Sequence, residues 1–200
     1  MMRIPDIAFD LDGTLIDIMS VFDNLVYEIH GVKIDESKRN RFDLSCCIDI
    51  RKDQIWTVIR LAMDKHEKIK FYPGAQNFLK FVFAMTLKPI KIITNRSIDK
   101  VSQTYALVDR LCKKIPYELI INHKSYPKSM FLNGYEYMLE DRRKNVIELA
   151  DNNIKTFLFS RSYNVLPDNS SPLITVVDSF TDIHKYLMKD SLGTQNAKED

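Results

Sequence analysis

Close to its start the chain carries the string Phe9-Asp10-Leu11-Asp12-Gly13-Thr14-Leu15, directly behind an apolar run that begins at Ile4. That run reads as a first strand, Ile4 to Leu11. Two carboxylates at i and i+2 on the carboxyl end of a strand can point into one crevice. In open α/β sheets that crevice is where ligands bind. Gly13 lets the backbone turn tightly, so that neighbouring N–H groups can face an anion. A turn that merely ends a strand needs one Asp and a Gly, not the whole string.

Short apolar runs then alternate with helical patterns. Ile90 to Thr94, Glu118 to Ile121, Tyr137 to Leu139, Thr156 to Phe159 and Leu173 to Val177 read as further strands. Val101, Tyr105, Val108 and Cys112 recur at helical spacing, as do Val146, Leu149 and Ala150. Ser97 and Ser179 are placed to cap helices, the second of them a closing helix from Phe180 to Met188. The pattern predicts an α/β fold, a Rossmann-like parallel sheet with helices on both faces.

Some eighty residues separate the first two strands, far more than one crossover helix needs. Ile18, Val21, Phe22, Leu25 and Ile29 form one amphipathic stripe there, and Ile55, Val58, Ile59, Ala62 and Met63 another. We therefore expect a helical insertion over 17–71, above the strand ends. The core is then 1–16 with 72–190, re-entered at Tyr72-Pro73-Gly74 by a helix through Met85. The polar residues 191–200 read as a flexible tail.

With 45% hydrophobic and 28% charged residues, the chain is not disordered over most of its length. A net charge of +2 gives no broad cationic surface for nucleic acid. Asp6, Asp10 and Asp12 interrupt the first apolar run, so it does not read as a signal peptide, and no stretch is long enough to span a membrane. Cys46, Cys47 and Cys112 show no metal-ligand spacing and read as reduced thiols, pointing to the cytoplasm. Trp56, close to the second stripe, reads as a packed core residue.

Asp-x-Asp-Gly-Thr-Leu after a first strand resembles the nucleophile motif of the haloacid dehalogenase superfamily, specifically its phosphatases. The resemblance implies that Asp10 attacks phosphorus and that Asp12 protonates the leaving oxygen, then activates water. Ile92-Ile93-Thr94-Asn95-Arg96 resembles the second motif, with Thr94 on a phosphate oxygen and Asn95 and Gly13 beside it. Tyr137-Met138-Leu139-Glu140-Asp141-Arg142 resembles the last, which implies Mg²⁺ held by Asp10, the Asp12 main-chain carbonyl and Asp141. Glu140 is longer than the family's usual Asp and is assigned outside the ligand set. The motif lysine is Lys128 or Lys124. Lys128 is preferred because it begins the segment leading into the Asp141 strand.

The insertion falls where members with a helical cap carry theirs. Glu140 to Asn145, Phe157-Leu158-Phe159 and Tyr163-Asn164 resemble the 5′(3′)-deoxyribonucleotidase tail. This implies a 5′-nucleotidase acting on nucleoside monophosphates, with Phe22, Tyr27, Phe42 or Trp56 stacking on the base. The alternatives are a polynucleotide 3′-phosphatase, the one reading with nucleic acid as partner, and a catalytically inactive binding module.

Overall fold

A computed structural model describes residues 4–35, 38–39 and 43–196, the side chains of 191–196 excepted. Its strands are β1 (Ile7–Phe9), β2 (Ile16–Asp17), β3 (Lys70–Phe71), β4 (Ile90–Thr94), β5 (Tyr117–Ile121), β6 (Tyr137–Glu140), β7 (Lys155–Phe159) and β8 (Ile174–Val177). Its helices are α1 (Ile18–His30), α2 (Lys52–Asp64), α3 (Ala75–Thr86), α4 (Val101–Cys112), α5 (Arg143–Asp151) and α6 (Phe180–Asn196). Six strands form one parallel sheet in the order β5-β4-β1-β6-β7-β8. That is the Rossmann order, and the direction of winding reverses between β1 and β6.

Side-chain alternation along the strands makes two unequal cores. Ile7, Phe9, Tyr137, Leu139, Phe157 and Phe159 turn to the larger one, shared with Phe78 and Leu79 of α3, Leu107 of α4 and Ile183 of α6. Ala8, Ile93 and Met138 turn to the smaller one with Leu132 and with Leu149 of α5. Strands covered on both faces explain why their sequences are nearly unbroken apolar runs.

β1 is shorter than the apolar run that encodes it. The ladder nevertheless continues one residue beyond the strand, where the Asp10 N–H donates to the Leu139 carbonyl (2.9 Å). This bond fixes Asp10 against the end of β6. Ser97 precedes a 3₁₀ turn (Ile98–Lys100) and makes no side-chain cap bond, so it does not start α4 as expected. Ser179 does cap α6, its Oγ accepting from the Asp182 N–H (3.3 Å). The closing helix runs on to Asn196, eight residues past Met188, so that residues 191–196 of the expected tail are helical.

The insertion stands on a two-stranded antiparallel stem in which Ile16 pairs with Phe71 and Asp17 with Lys70. The Asp17 side chain accepts from the Ser20 N–H (3.1 Å) and starts α1. Gly31, at φ +67°, ends it with its N–H on Tyr27 O. Buried Ile18, Val21, Phe22 and Leu25 of α1 join the core cluster that also holds Ile55, Val58 and Ala62 of α2. Full burial of each such side chain contributes ~1.5–3 kcal/mol. Ile29 leaves the predicted stripe and is half exposed. The end of α2 and the residues after it are tied to α4 and to the turn before it. Lys100 Nζ lies 2.6 Å from Asp64, and Arg110 donates to the carbonyls of His66 (2.8 Å) and Ile69 (2.5 Å). Among the described residues, no helix is long and apolar enough to cross a membrane.

Candidate active site

Asp10 follows β1, Thr94 ends β4 and Glu140 ends β6, so three neighbouring strands deliver polar side chains to the point where the sheet's winding reverses. Lys128 joins them from below. It opens a 3₁₀ turn (Lys128–Phe131) behind Pro127 and is 2% exposed. Its ammonium donates to Asp10 Oδ1 and to Glu140 Oε1 (2.7 Å). Burial alone would lower the Lys128 pKa, but the two carboxylates outweigh it and hold it up. Lys124 is exposed and makes no such contact, so Lys128 is the one of the two that the fold brings to Asp10.

Glu140 is held on several sides. Its Oε1 also accepts from Asn145 Nδ2 (2.8 Å), and its Oε2 from the Arg142 N–H (3.2 Å). Its longer side chain thus serves to hold the lysine.

Asp12, two residues on, faces a different partner. Arg96 grips its carboxylate with both prongs, Nε to Oδ2 (2.9 Å) and Nη2 to Oδ1 (2.8 Å). Arg96 is 1% exposed, and its Nη1 is buried with no hydrogen-bond partner. Thr94 Oγ1 lies at the outer limit of hydrogen bonding from Asp12 Oδ2 (3.5 Å). Asn95 is oriented through its Oδ1, which accepts from Asn122 Nδ2 (2.9 Å). Gly13 spends its own N–H on Ile16 O (3.0 Å), so that amide is turned into the loop and away from an anion. What this position supplies is space. At φ +82°, a Cβ here would lie 2.1 Å from Asp141 Oδ2.

Asp10, Glu140 and Asp141, all buried, bring one carboxylate oxygen each within 4.8 Å of one another. Burial first, and then the neighbouring carboxylates, raise Asp10 well above the usual range despite Lys128. Burial and Glu140 push Asp141 up to about 7. Three carboxylates against one ammonium leave a formal charge of −2, which a divalent cation would neutralise. Hard oxygen donors fit Mg²⁺. The residues present therefore suit the cation, with Asp10 and Asp141 offering the oxygens, because both oxygens of Glu140 are taken by Lys128, Asn145 and the Arg142 N–H.

The sheet end and the insertion enclose a crevice of about 620 Å³. Asp10, Asp12, Thr94, Asn95 and Asp141 line its floor, and Met19, Phe22, Trp56, Ile59 and Met63 its opposite wall. Trp56, expected in the core, is 52% exposed on that wall. It sits one position round α2 from buried Ile55, so its ring clears the α1–α2 seam. Tyr27 is exposed under Lys33 and does not line the crevice, while Phe42 lies outside the described residues.

No protein-family model and no curated protein matches the sequence. Solved structures do match it. A haloacid dehalogenase-like hydrolase from Streptococcus pneumoniae superposes with a TM-score of 0.62 at 16% identity, over 93% of this chain and 99% of that one. The chain has the haloacid dehalogenase-like fold. An L-2-haloacid dehalogenase from Xanthobacter autotrophicus, with chloropropionic acid covalently bound, gives 0.59 at 13% identity over 92% and 98%. A hydrolase of the same kind from Deinococcus radiodurans, with bound phosphate and sodium, gives 0.58 at 15% identity over 94% and 97%. At these identities the likeness is one of fold.

Within that fold, sequence reasoning missed the partners that hold the site. Arg96 was visible only as the residue after Thr94-Asn95. Arg161 and Tyr163 lie twenty or more residues past Asp141, and while Tyr163-Asn164 carries a resemblance in the sequence, only the fold shows Tyr163 on Asp141 and Arg161 on the Gly13 carbonyl.

Proposed function

We propose that the chain is a Mg²⁺-dependent phosphomonoesterase working through an aspartyl-phosphate, and more specifically a 5′-nucleotidase on nucleoside monophosphates. The observation that carries this reading is the buried Asp10–Lys128–Glu140 array with Asp141 beside it and Asp12 across the same crevice floor. Bound Mg²⁺ would neutralise phosphoryl charge beside Asp10 and Asp141. Lys128 screens the Asp10 carboxylate from the incoming dianion and holds a phosphoryl oxygen, with Thr94 and Asn95 on the others. Asp10 forms a bond to phosphorus as the P–O bond to the leaving group breaks, and Asp12, entering the step protonated with one oxygen released from Arg96, supplies the proton that this oxygen needs. The leaving alcohol departs. Asp12, now ionised, takes a proton from water as that water attacks phosphorus, which frees Asp10 and inorganic phosphate.

Asp12 favours this chemistry over carbon–halogen cleavage, because a halide leaves without a proton. The insertion acts as a cap over the leaving group, and Trp56 on its wall offers a flat face for a base. A walled crevice suits a mononucleotide better than a polynucleotide end. The free thiols at Cys46, Cys47 and Cys112 support a cytoplasmic location.

A panel of nucleoside 5′- and 3′-monophosphates, sugar phosphates, a 3′-phosphorylated oligonucleotide and a 2-haloacid, each with and without Mg²⁺, tests the reading. Mg²⁺-dependent phosphate release confined to nucleoside monophosphates is the expected result. Turnover of the oligonucleotide alone would replace it with end repair, and inactivity throughout would leave a binding module.

Arg96→Lys keeps the charge but loses the two-pronged grip on Asp12. We expect kcat/KM on alkyl phosphates to fall ~10–100-fold, less than the ~10²–10⁴-fold that the whole proton transfer supplies, because the acid is misplaced and not removed. Aryl phosphates, whose phenolate leaves unprotonated, should lose far less in kcat/KM, which reports the first transfer and not the water attack that both classes share. Steady-state kinetics on the two ester classes reads the difference.

A further inference from the structure

Asp141 offers its carboxylate to the cation site, yet nothing in its own strand aims it. Its Oδ2 accepts from the Tyr163 hydroxyl (2.5 Å). Its main-chain carbonyl accepts from Asn164 Nδ2 (2.7 Å), and the same amide group donates to Phe159 O (2.5 Å) at the end of β7. Asn164 is 3% exposed, and its Oδ1 takes the Arg161 N–H (3.0 Å), which closes the loop that presents Tyr163. Arg161 in turn donates to Gly13 O (3.0 Å) and lies 4.3 Å over the ring of Tyr72, where the insertion rejoins the core. The Gly13 vacancy that admits Asp141 Oδ2 lies 3.1 Å from the same Tyr163 hydroxyl.

We propose that Tyr163 is a positioning residue for the divalent cation. By holding one oxygen of Asp141 against the Gly13 loop, its hydroxyl turns the other toward the site. Arg161 and Asn164 fix the loop that carries Tyr163. An outer partner of this kind raises the affinity of a ligand set by orienting it before the metal arrives, and its loss commonly weakens binding ~10–100-fold. The inference rests on reading Asp10 and Asp141 as cation ligands, and not on which ester is hydrolysed.

The test is Mn²⁺ binding to the full chain, followed by the EPR signal of the free ion, with Mg²⁺ as competitor. Tyr163→Phe removes only the hydroxyl. It is expected to raise the Kd for Mn²⁺ ~10–100-fold while the metal-free protein melts close to wild type. Tyr117→Phe removes a hydroxyl bonded to Asp109 (2.6 Å) on the sheet's far edge, and should leave the Kd unchanged. At saturating Mg²⁺, Tyr163→Phe should regain most of the wild-type kcat, because the hydroxyl acts through Asp141. Unchanged Mn²⁺ affinity in Tyr163→Phe, or an equal loss in Tyr117→Phe, would overturn the assignment of Tyr163 alone. Wild-type protein that binds neither ion would overturn the cation site and this inference together.

Discussion

Asp10→Asn is expected to remove phosphate-ester hydrolysis, on the order of 10⁴-fold or more in kcat, since the group that bonds to phosphorus is gone. The fold should survive and even gain. Asp10 is a buried carboxylate whose pKa burial drives up, which marks its charge as a burden on the native state. Its amide isostere carries no charge, and Lys128 keeps Glu140 as partner. A melting temperature at or above that of the wild type, measured without Mg²⁺, should accompany the lost turnover. A variant that still hydrolysed esters at the wild-type rate would show that the nucleophile lies elsewhere.

Lys128→Met should have the opposite profile in stability and the same one in turnover. It removes the ammonium that Asp10 and Glu140 share and leaves them buried beside Asp141. Breaking a buried charge array from one side costs about 3–5 kcal/mol, or about 10 °C in Tm for a chain of this length. The sign with pH follows from the carboxylates. Folded pKa values raised above the unfolded ones mean that the native state holds more protons, so stability falls as pH rises. In the wild type this extends from near 4 up to about 7 for Asp141. The variant should therefore be closest to wild type near pH 4 and furthest from it above pH 7. Mg²⁺ should recover more Tm in the variant than in the wild type, because the cation faces one more uncompensated negative charge. Thermal melts across pH, with and without Mg²⁺, measure all of this. Equal losses at pH 4 and pH 8 would mean that Lys128 serves packing alone.

The parts of this protein that are local in sequence were legible there. β4 spans Ile90–Thr94 as its apolar run predicts, and α4 ends at Cys112 where its stripe ends. The Rossmann-like sheet followed from alternation, because a parallel strand pair must be bridged by a crossover and each face must be covered. Asp10, Asp12 and Asp141 are legible because they are carboxylates that follow closely on apolar strand runs. Trp56 departs from the core position its stripe predicts for a physical reason. At about 100° per residue, one step along α2 separates a buried position from the crevice wall, and a stripe of apolar residues does not say which edge meets solvent. The extent of α6 escaped as well, because a polar stretch can continue a helix that apolar periodicity no longer marks.

Periodicity and residues one to five apart were enough to order the six strands of the main sheet along the chain, to mark the carboxylates at its end and to reveal an insertion. Which lysine reaches Asp10, the grip of Arg96 on Asp12, and the hold of Tyr163 and Asn164 on Asp141 emerge from the folded chain alone. Those choices join residues up to 118 apart in the chain. They are set by the sheet order, which carries the ends of β1, β4, β6 and β7 to one edge, and by burial, which makes each charge there find a partner.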